Sequence, residues 1–179
     1  MIVVTGFGPF GSVTENPSEV LARASGVDFR IVPVTFRAAD EAAQALKAQG
    51  PEAVLAMGVH GRAAKMRLEL FGRNVIGPTA DVDGVLRGGK LIWPRGPSSL
   101  GMTLLEPEDV LGFPRAIGEG RLVLSASAGN YLCNYFYYQL LRALPGARVG
   151  FLHVPRFERM AQETQLAVVQ KVIDRVARS

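Results

Sequence analysis

The chain of 179 residues has one cysteine, Cys133, and two histidines, His60 and His153. A cysteine attacks carbon as its thiolate, and a neighbouring base must take the thiol proton. Imidazole, which titrates near neutral pH, is the usual choice. Cys133 stands in Ser125-Ala126-Ser127-Ala128-Gly129-Asn130-Tyr131-Leu132-Cys133-Asn134-Tyr135, and His153 follows twenty positions later in Val149-Gly150-Phe151-Leu152-His153-Val154-Pro155. The pair points to nucleophilic catalysis by a Cys–His dyad. A plainer account fits the same residues: a buried structural cysteine, common for this residue type, and a histidine that only ends a strand. His60, in Gly58-Val59-His60-Gly61-Arg62, is the rival base.

The flanking sequence says how these side chains are held. Arg121-Leu122-Val123-Leu124-Ser125 is short, apolar and bounded by Gly120, as a buried strand is. Gly129 can take a backbone angle closed to other residues. Tyr131 to Leu144 has neither Gly nor Pro and reads as a helix that Pro145-Gly146 stops. Cys133 then lies in the first helical turn, where unpaired N–H groups and the helix dipole favour an anion. Such a site can lower a thiol pKa from about 8.5 into the ~3.5–7.5 range. His153 ends a strand just before Pro155, and strand ends are where α/β sheets keep their chemistry.

The rest of the chain alternates strand and helix, which predicts an α/β fold: one domain over residues 1–179, with a central mixed sheet flanked by helices on both faces. Met1 to Thr5 is a first strand, opening into Gly6-Phe7-Gly8-Pro9-Phe10-Gly11. That loop lacks the Walker lysine, and Pro9 removes a donor that a phosphate cradle needs; a turn with Phe7 and Phe10 in the core explains it as well. Asn16-Pro17 starts a short helix to about Ala24, and Phe29 to Thr35 is a strand with Pro33 marking an edge or bulge. Arg37 to Gln49 is helical up to Gly50-Pro51, and Ala53 to Val59 is a strand covered on both faces. In Lys65-Met66-Arg67-Leu68-Glu69-Leu70 the polar positions share one face, which on the pattern alone makes Glu69 a solvated residue or an ion-pair partner. Residues 77 to 101 read as an irregular loop with at most a short strand at Lys90 to Trp93. Leu104 to Gly118 holds a helix bent or ended near Gly112 and Pro114. Phe157 to Arg178 is an amphipathic helix with Leu166, Val169, Ile173 and Val176 on one face.

Several of these motifs together resemble the pyroglutamyl peptidases. Ser127 to Tyr135 is similar to that family's nucleophile motif, and Gly150-Phe151-Leu152-His153-Val154-Pro155 to its histidine motif. Val4-Thr5-Gly6-Phe7-Gly8-Pro9-Phe10-Gly11 with Asn16-Pro17-Ser18 resembles its opening signature. Leu68-Glu69 with Gly72-Arg73-Asn74 resembles the segment that carries its catalytic glutamate. The resemblance implies a cysteine exopeptidase acting on N-terminally pyroglutamylated peptides, with Cys133 as nucleophile, His153 as base and then acid, and Glu69 orienting the imidazole. Phe7 and Phe10, with Val59, would line the pocket for the uncharged lactam ring, and backbone N–H groups before Cys133 would hold the oxyanion. Family members assemble, so a homo-oligomer, a tetramer, is implied as well. The chain departs from many bacterial members in one place: it reads Ala80-Asp81-Val82-Asp83 where they carry Ala-Arg-Ile-Pro-Asp, so no role of that arginine carries over.

Composition narrows the alternatives. A chain of this length can bury about 70% of its unfolded surface. One cysteine cannot make an internal disulfide, Met1-Ile2-Val3-Val4-Thr5 reads as a strand and not a signal peptide, and no run reaches the ~20 apolar residues of a membrane span, so a cytoplasmic protein that does not engage membranes is expected. The formal net charge is +4, but the basic residues are dispersed without interleaved aromatics, which argues against nucleic acid. Two histidines and one cysteine offer no metal-ligand cluster, and no cofactor is expected. Two other classes are compatible with parts of the sequence: a phosphate- or nucleoside-binding enzyme using Gly6 to Gly11, and a non-catalytic thiol sensor using Cys133 alone.

Overall fold

Ala53 to Val59 is apolar or glycine at every position, and a strand of that composition must be covered on both faces. The computed structural model, which describes residues 1–118 and 120–178, places it in the middle of a six-stranded sheet. In chain order the elements are β1 (Ile2–Phe7), α1 (Pro17–Arg23), β2 (Asp28–Val32), α2 (Phe36–Gln49), β3 (Ala53–Val59), β4 (Met66–Glu69), β5 (Phe71–Arg73), β6 (Ser99–Gly101), α3 (Pro107–Val110), α4 (Phe113–Gly118), β7 (Leu122–Ser125), α5 (Leu132–Ala143), β8 (Arg148–Val154) and α6 (Gln162–Arg178). The sheet order is β2-β1-β3-β8-β4-β7, with β5 and β6 forming a separate two-stranded ribbon. Neighbours in the large sheet run parallel except β4 and β8, which are antiparallel. The fold is therefore α/β with a mixed sheet.

Alternation along the strands divides the core in two. Phe7, Val54, Ala56, Val149 and Phe151 pack against α2 and α5 on one face. Val4, Leu55, Met57, Leu152 and Val154 pack against α1, α4 and α6 on the other. Helix α5 buries Leu132, Phe136 and Leu140 among others, each stabilising by about 1.5–3 kcal/mol on burial. Its packed face therefore fixes the helix that carries Cys133. The Asn16 side chain accepts from Ser18 N–H at the start of α1, with Pro17 at the first helical position, and Thr35 accepts from Ala38 N–H at the start of α2.

Local readings of the sequence are corrected at four places. No strand forms over 90–93; the short strand is Ser99–Gly101, antiparallel to Phe71–Arg73. Trp93 needs no ladder partner, because the Asn74 side chain accepts from its N–H and donates to its carbonyl, both at 2.8 Å. Strand β2 stops at Val32, since Pro33 has no N–H to continue the ladder, and it lies at the sheet edge. The segment from 104 to 118 holds two short helices broken at Leu111–Gly112. The last helix begins at Gln162, after turns over 157–160, and its buried face is Val168, Val169, Val172, Ile173 and Val176, with Leu166 only half-buried at the rim.

Candidate active site

Cys133 is half-buried near the N-terminus of α5. Gly129, with φ of +86°, makes the turn that leads into the helix, a conformation that favours glycine. Tyr131 is the N-cap and makes no side-chain capping bond. The first-turn N–H groups, which have no intrahelical acceptor, are thus not covered by a capping side chain and can serve an anion beside the sulfur. The sulfur faces the end of β3: a Cβ built on Gly58 would stand 2.7 Å from Cys133 Sγ and 3.0 Å from Phe151 Cζ. Glycine at 58 is what makes room for the thiol.

His153 and Glu69 meet through the register of the sheet. In the antiparallel pairing of β4 with β8, Arg67 lies opposite His153 and Glu69 opposite Phe151. Residues two apart on a strand share a face, so Glu69 is the diagonal neighbour of His153, within reach of a long side chain. Its Oε1 lies 2.8 Å from His153 Nδ1. Glu69 is completely buried and His153 nearly so, which overturns the solvated reading of Glu69 that the strand pattern alone suggested. The pattern assumed one wet face, whereas β4 is an inner strand whose Glu69 face is covered by α5. There Tyr137 donates its hydroxyl to the Glu69 carbonyl at 3.0 Å.

The electrostatics follow from this burial. Desolvation alone lowers a histidine pKa, but hydrogen bonding and charge from Cys133, and then from Glu69, outweigh it and lift His153 to about 9 from the usual 6.5. His60 behaves oppositely. Its ring stands edge-on to His153, with centroids 5.4 Å apart, and burial together with the nearby charges of His153 and Arg67 lowers its pKa. A neutral neighbour of the imidazolium fits these shifts.

Phe7, Phe10, Val59 and Cys133 line one cavity of about 90 Å³, together with Asn16, Val34, Tyr131 and Leu132. Phe7 is also a core residue, buried edge-on against Phe136, so the plain structural account and the pocket account both hold for it. Asp81, in the segment where the arginine motif is missing, is buried and accepts from the N–H groups of Phe36, Asp83 and Val85 at 2.9 to 3.1 Å. Tyr131, whose hydroxyl donates to the Ala80 carbonyl, joins this loop to the cavity wall. The glycine loop of Gly6 to Gly11 is a poor phosphate cradle. Phe7 N–H donates to Ser18 Oγ, Gly8 N–H to the Val32 carbonyl and Phe10 N–H to the Val13 carbonyl.

The structure thus brings Glu69, Cys133, His153, Phe7, Phe10 and Val59 to one place. Reading the sequence missed three contributors. Gly58 was signalled by a lone glycine inside an apolar strand, which marks close approach of another group. Asn134, beside the cysteine, is fully buried and uses both ends of its amide on Arg73 and Val75. Nothing in the local pattern signals that tie. Arg67 opposes His153 across the sheet, and only the strand register reveals it. Among the described residues, no group of three or more His, Cys, Asp or Glu side chains is arranged to hold a metal ion.

Comparison with known proteins agrees with this geometry. The family model described as Pyroglutamyl peptidase matches residues 1–176. The chain is 33% identical over 186 residues to the pyrrolidone-carboxylate peptidase of Chromobacterium violaceum, covering 98% of this chain and 87% of that protein. It is 29% identical over 194 residues to human pyroglutamyl-peptidase 1, covering 99% and 92%. The crystal structure of pyrrolidone carboxyl peptidase from Thermus thermophilus superposes with a TM-score of 0.84 at 33% identity, over 97% of this chain and 99% of that one. A mutant of the Pyrococcus furiosus pyrrolidone carboxyl peptidase gives a TM-score of 0.89 at 26% identity, over 99% and 98%. The motifs quoted above, the mixed sheet and the buried Glu69–His153 pair next to Cys133 are thus found on a chain that belongs to the pyroglutamyl peptidase family.

Proposed function

We propose that the protein is a cysteine exopeptidase that hydrolyses the bond following an N-terminal pyroglutamyl residue, with Cys133 as nucleophile, His153 as base and acid, and Glu69 as the group that orients His153. The observation that carries the reading is that the single cysteine opens into a small apolar cavity while its neighbour, His153, is held from behind by a buried carboxylate. A pyroglutamyl lactam has no ammonium group, so a small pocket walled by Phe7, Phe10 and Val59 suits it better than it suits a charged N-terminus.

The chemistry proceeds in two halves. His153 takes the proton of Cys133, and the sulfur attacks the pyroglutamyl carbonyl carbon. The oxygen becomes an anion, and the first-turn N–H groups of α5, left without a capping side chain, are the donors assigned to stabilise it. The C–N bond breaks as His153 gives its proton to the leaving amine, and a thioester remains on Cys133. Water, deprotonated by His153, then attacks the thioester, and pyroglutamate leaves with the thiol restored. Throughout, Glu69 fixes which imidazole nitrogen faces the sulfur and offsets the positive charge on the ring.

We extend the reading to the whole chain, residues 1–179, acting as one domain. Its family resemblance supports assembly into a homo-oligomer, and its single cysteine suits a cytoplasmic setting. Among the described residues no helix is long and apolar enough to cross a membrane.

The test is mass spectrometry of peptides that differ only in the first residue. A pyroglutamyl peptide should be shortened by one residue, with free pyroglutamate appearing in equal amount, while the matched glutamine- and proline-initiated peptides stay intact. Shortening of all three, or of none, contradicts the proposal.

A further inference from the structure

Glu69 Oε1 is shared between two cations. It lies 2.8 Å from His153 Nδ1 and 3.7 Å from Arg67 Nε, and these are the only positive groups within ion-pair reach of Glu69 among the described residues. The other carboxylate oxygen, Oε2, and Arg67 Nε have no hydrogen-bond partner among the described residues, although both are buried atoms. Glu69 is wholly removed from water, and a buried charge is costly unless a counter-charge stands beside it. If the chain works as proposed above, His153 alternates between imidazolium and neutral imidazole during each turnover. In the neutral stage Glu69 loses one of its two counter-charges. Arg67 stays protonated throughout.

The sheet fixes the place of Arg67. It is the register partner of His153 across β4 and β8, and its Nη2 donates to Ser125 Oγ of β7 at 2.9 Å. We propose that Arg67 is a positioning residue, whose guanidinium balances the buried Glu69 carboxylate while His153 is neutral and so keeps Glu69 holding the ring.

The groups that face this pair are Cys133 and Tyr137 from α5, His60 from the end of β3, and Phe151 and His153 of β8. Tyr137 contributes no charge, because burial and the adjacent Glu69 push its ionisation far up. His60 is held toward its neutral form. A thiolate, an imidazolium, a carboxylate and a guanidinium therefore sum to zero. Without Arg67 the site would be net negative, and a more negative site retains its protons to higher pH.

The experiment compares the wild type with Arg67→Gln, Arg67→Lys, Ser125→Ala and Glu69→Gln. Two profiles are recorded against pH for each: kcat/KM on a pyroglutamyl amide, and the rate of Cys133 alkylation by iodoacetamide, which needs no peptidase activity. Arg67→Gln should move both limbs of the activity bell and the alkylation curve to higher pH by about half a unit or more, a modest shift because the guanidinium is partly exposed. Ser125→Ala, which cuts the anchor, should move them the same way by less. Arg67→Lys should restore the wild-type position, and Glu69→Gln should move them the opposite way. Curves for Arg67→Gln and Ser125→Ala that superpose on the wild type, scaled down or not, overturn the proposal. A wild type that releases no amine defeats the functional reading instead, and the alkylation curves still decide the role of Arg67.

Discussion

Glu69 Oε1 and His153 Nδ1 stand 2.8 Å apart across the one antiparallel junction of the sheet, a diagonal pair with no solvent between them. A carboxylate so placed fixes which imidazole nitrogen faces Cys133. On the proposed mechanism, Glu69→Gln lowers kcat/KM by on the order of 10⁴-fold, because an amide can hold the ring but cannot offset its charge. Cys133→Ser and His153→Ala cost more. Groups that act as a unit lose activity non-additively, so adding Glu69→Gln to His153→Ala changes little. Steady-state kinetics on the four variants check this; additive losses would separate Glu69 from the other two.

The two histidines titrate on opposite sides of 6.5. His153 is raised to about 9, while His60 is lowered. A two-histidine NMR titration should resolve one curve above and one below that value. In Cys133→Ala the upper curve should move down, because its largest raising contributions come from the sulfur. Equal, unshifted curves would show that neither ring feels its neighbours.

The same shift has a consequence for stability. A histidine whose folded pKa exceeds its unfolded one contributes stability that is complete below about 6.5 and is lost as pH rises through the folded value. The urea midpoint should therefore fall between pH 6.5 and about 9, and fall less in Cys133→Ala. A midpoint that climbs over this window in the wild type contradicts the assigned sign.

Gly58→Ala tests the room left for the thiol. The new methyl would stand 2.7 Å from Cys133 Sγ, so the sulfur must shift. The fold should lose about 1–3 kcal/mol from overpacking, and activity should drop by at least a hundredfold as attack geometry is lost. Retained kcat with an unchanged melting temperature would place the sulfur elsewhere.

The phenylalanines should separate pocket from core. Phe7 is buried against Phe136, so Phe7→Ala should cost about 3–5 kcal/mol of stability in addition to raising KM. Phe10 lines the same cavity but is only partly buried, so Phe10→Ala should raise KM with little loss of stability. Urea denaturation and Michaelis–Menten analysis distinguish the two.

Much of this arrangement was legible in the chain because local signals coincide with the fold. Ala53–Val59 had the apolar continuity of a covered strand, Asn16-Pro17 the chemistry of a helix start, and Tyr131 to Leu144 the lack of breakers that placed Cys133 in a first turn. Glu69 was legible only through the family motif. Its alternating neighbours suggested a wet face, and whether a strand face is wet depends on what packs over it. Arg67 and Asn134 act through partners 58 to 86 positions away, pairings set by register and helix docking that no short window contains. Trp93 was misread for the same reason: its backbone N–H and carbonyl are met by the side chain of Asn74 and not by a strand.

The central claim is that Cys133, activated by His153, cleaves a pyroglutamyl amide. The most direct measurement is the release of a chromogenic amine from its pyroglutamyl amide by reduced protein whose Cys133 content has been titrated by alkylation. Turnover proportional to free Cys133, lost on alkylation and absent in Cys133→Ser that still folds, is the expected result. Amine release that survives alkylation of Cys133, or no release by fully reduced wild-type protein, would contradict it.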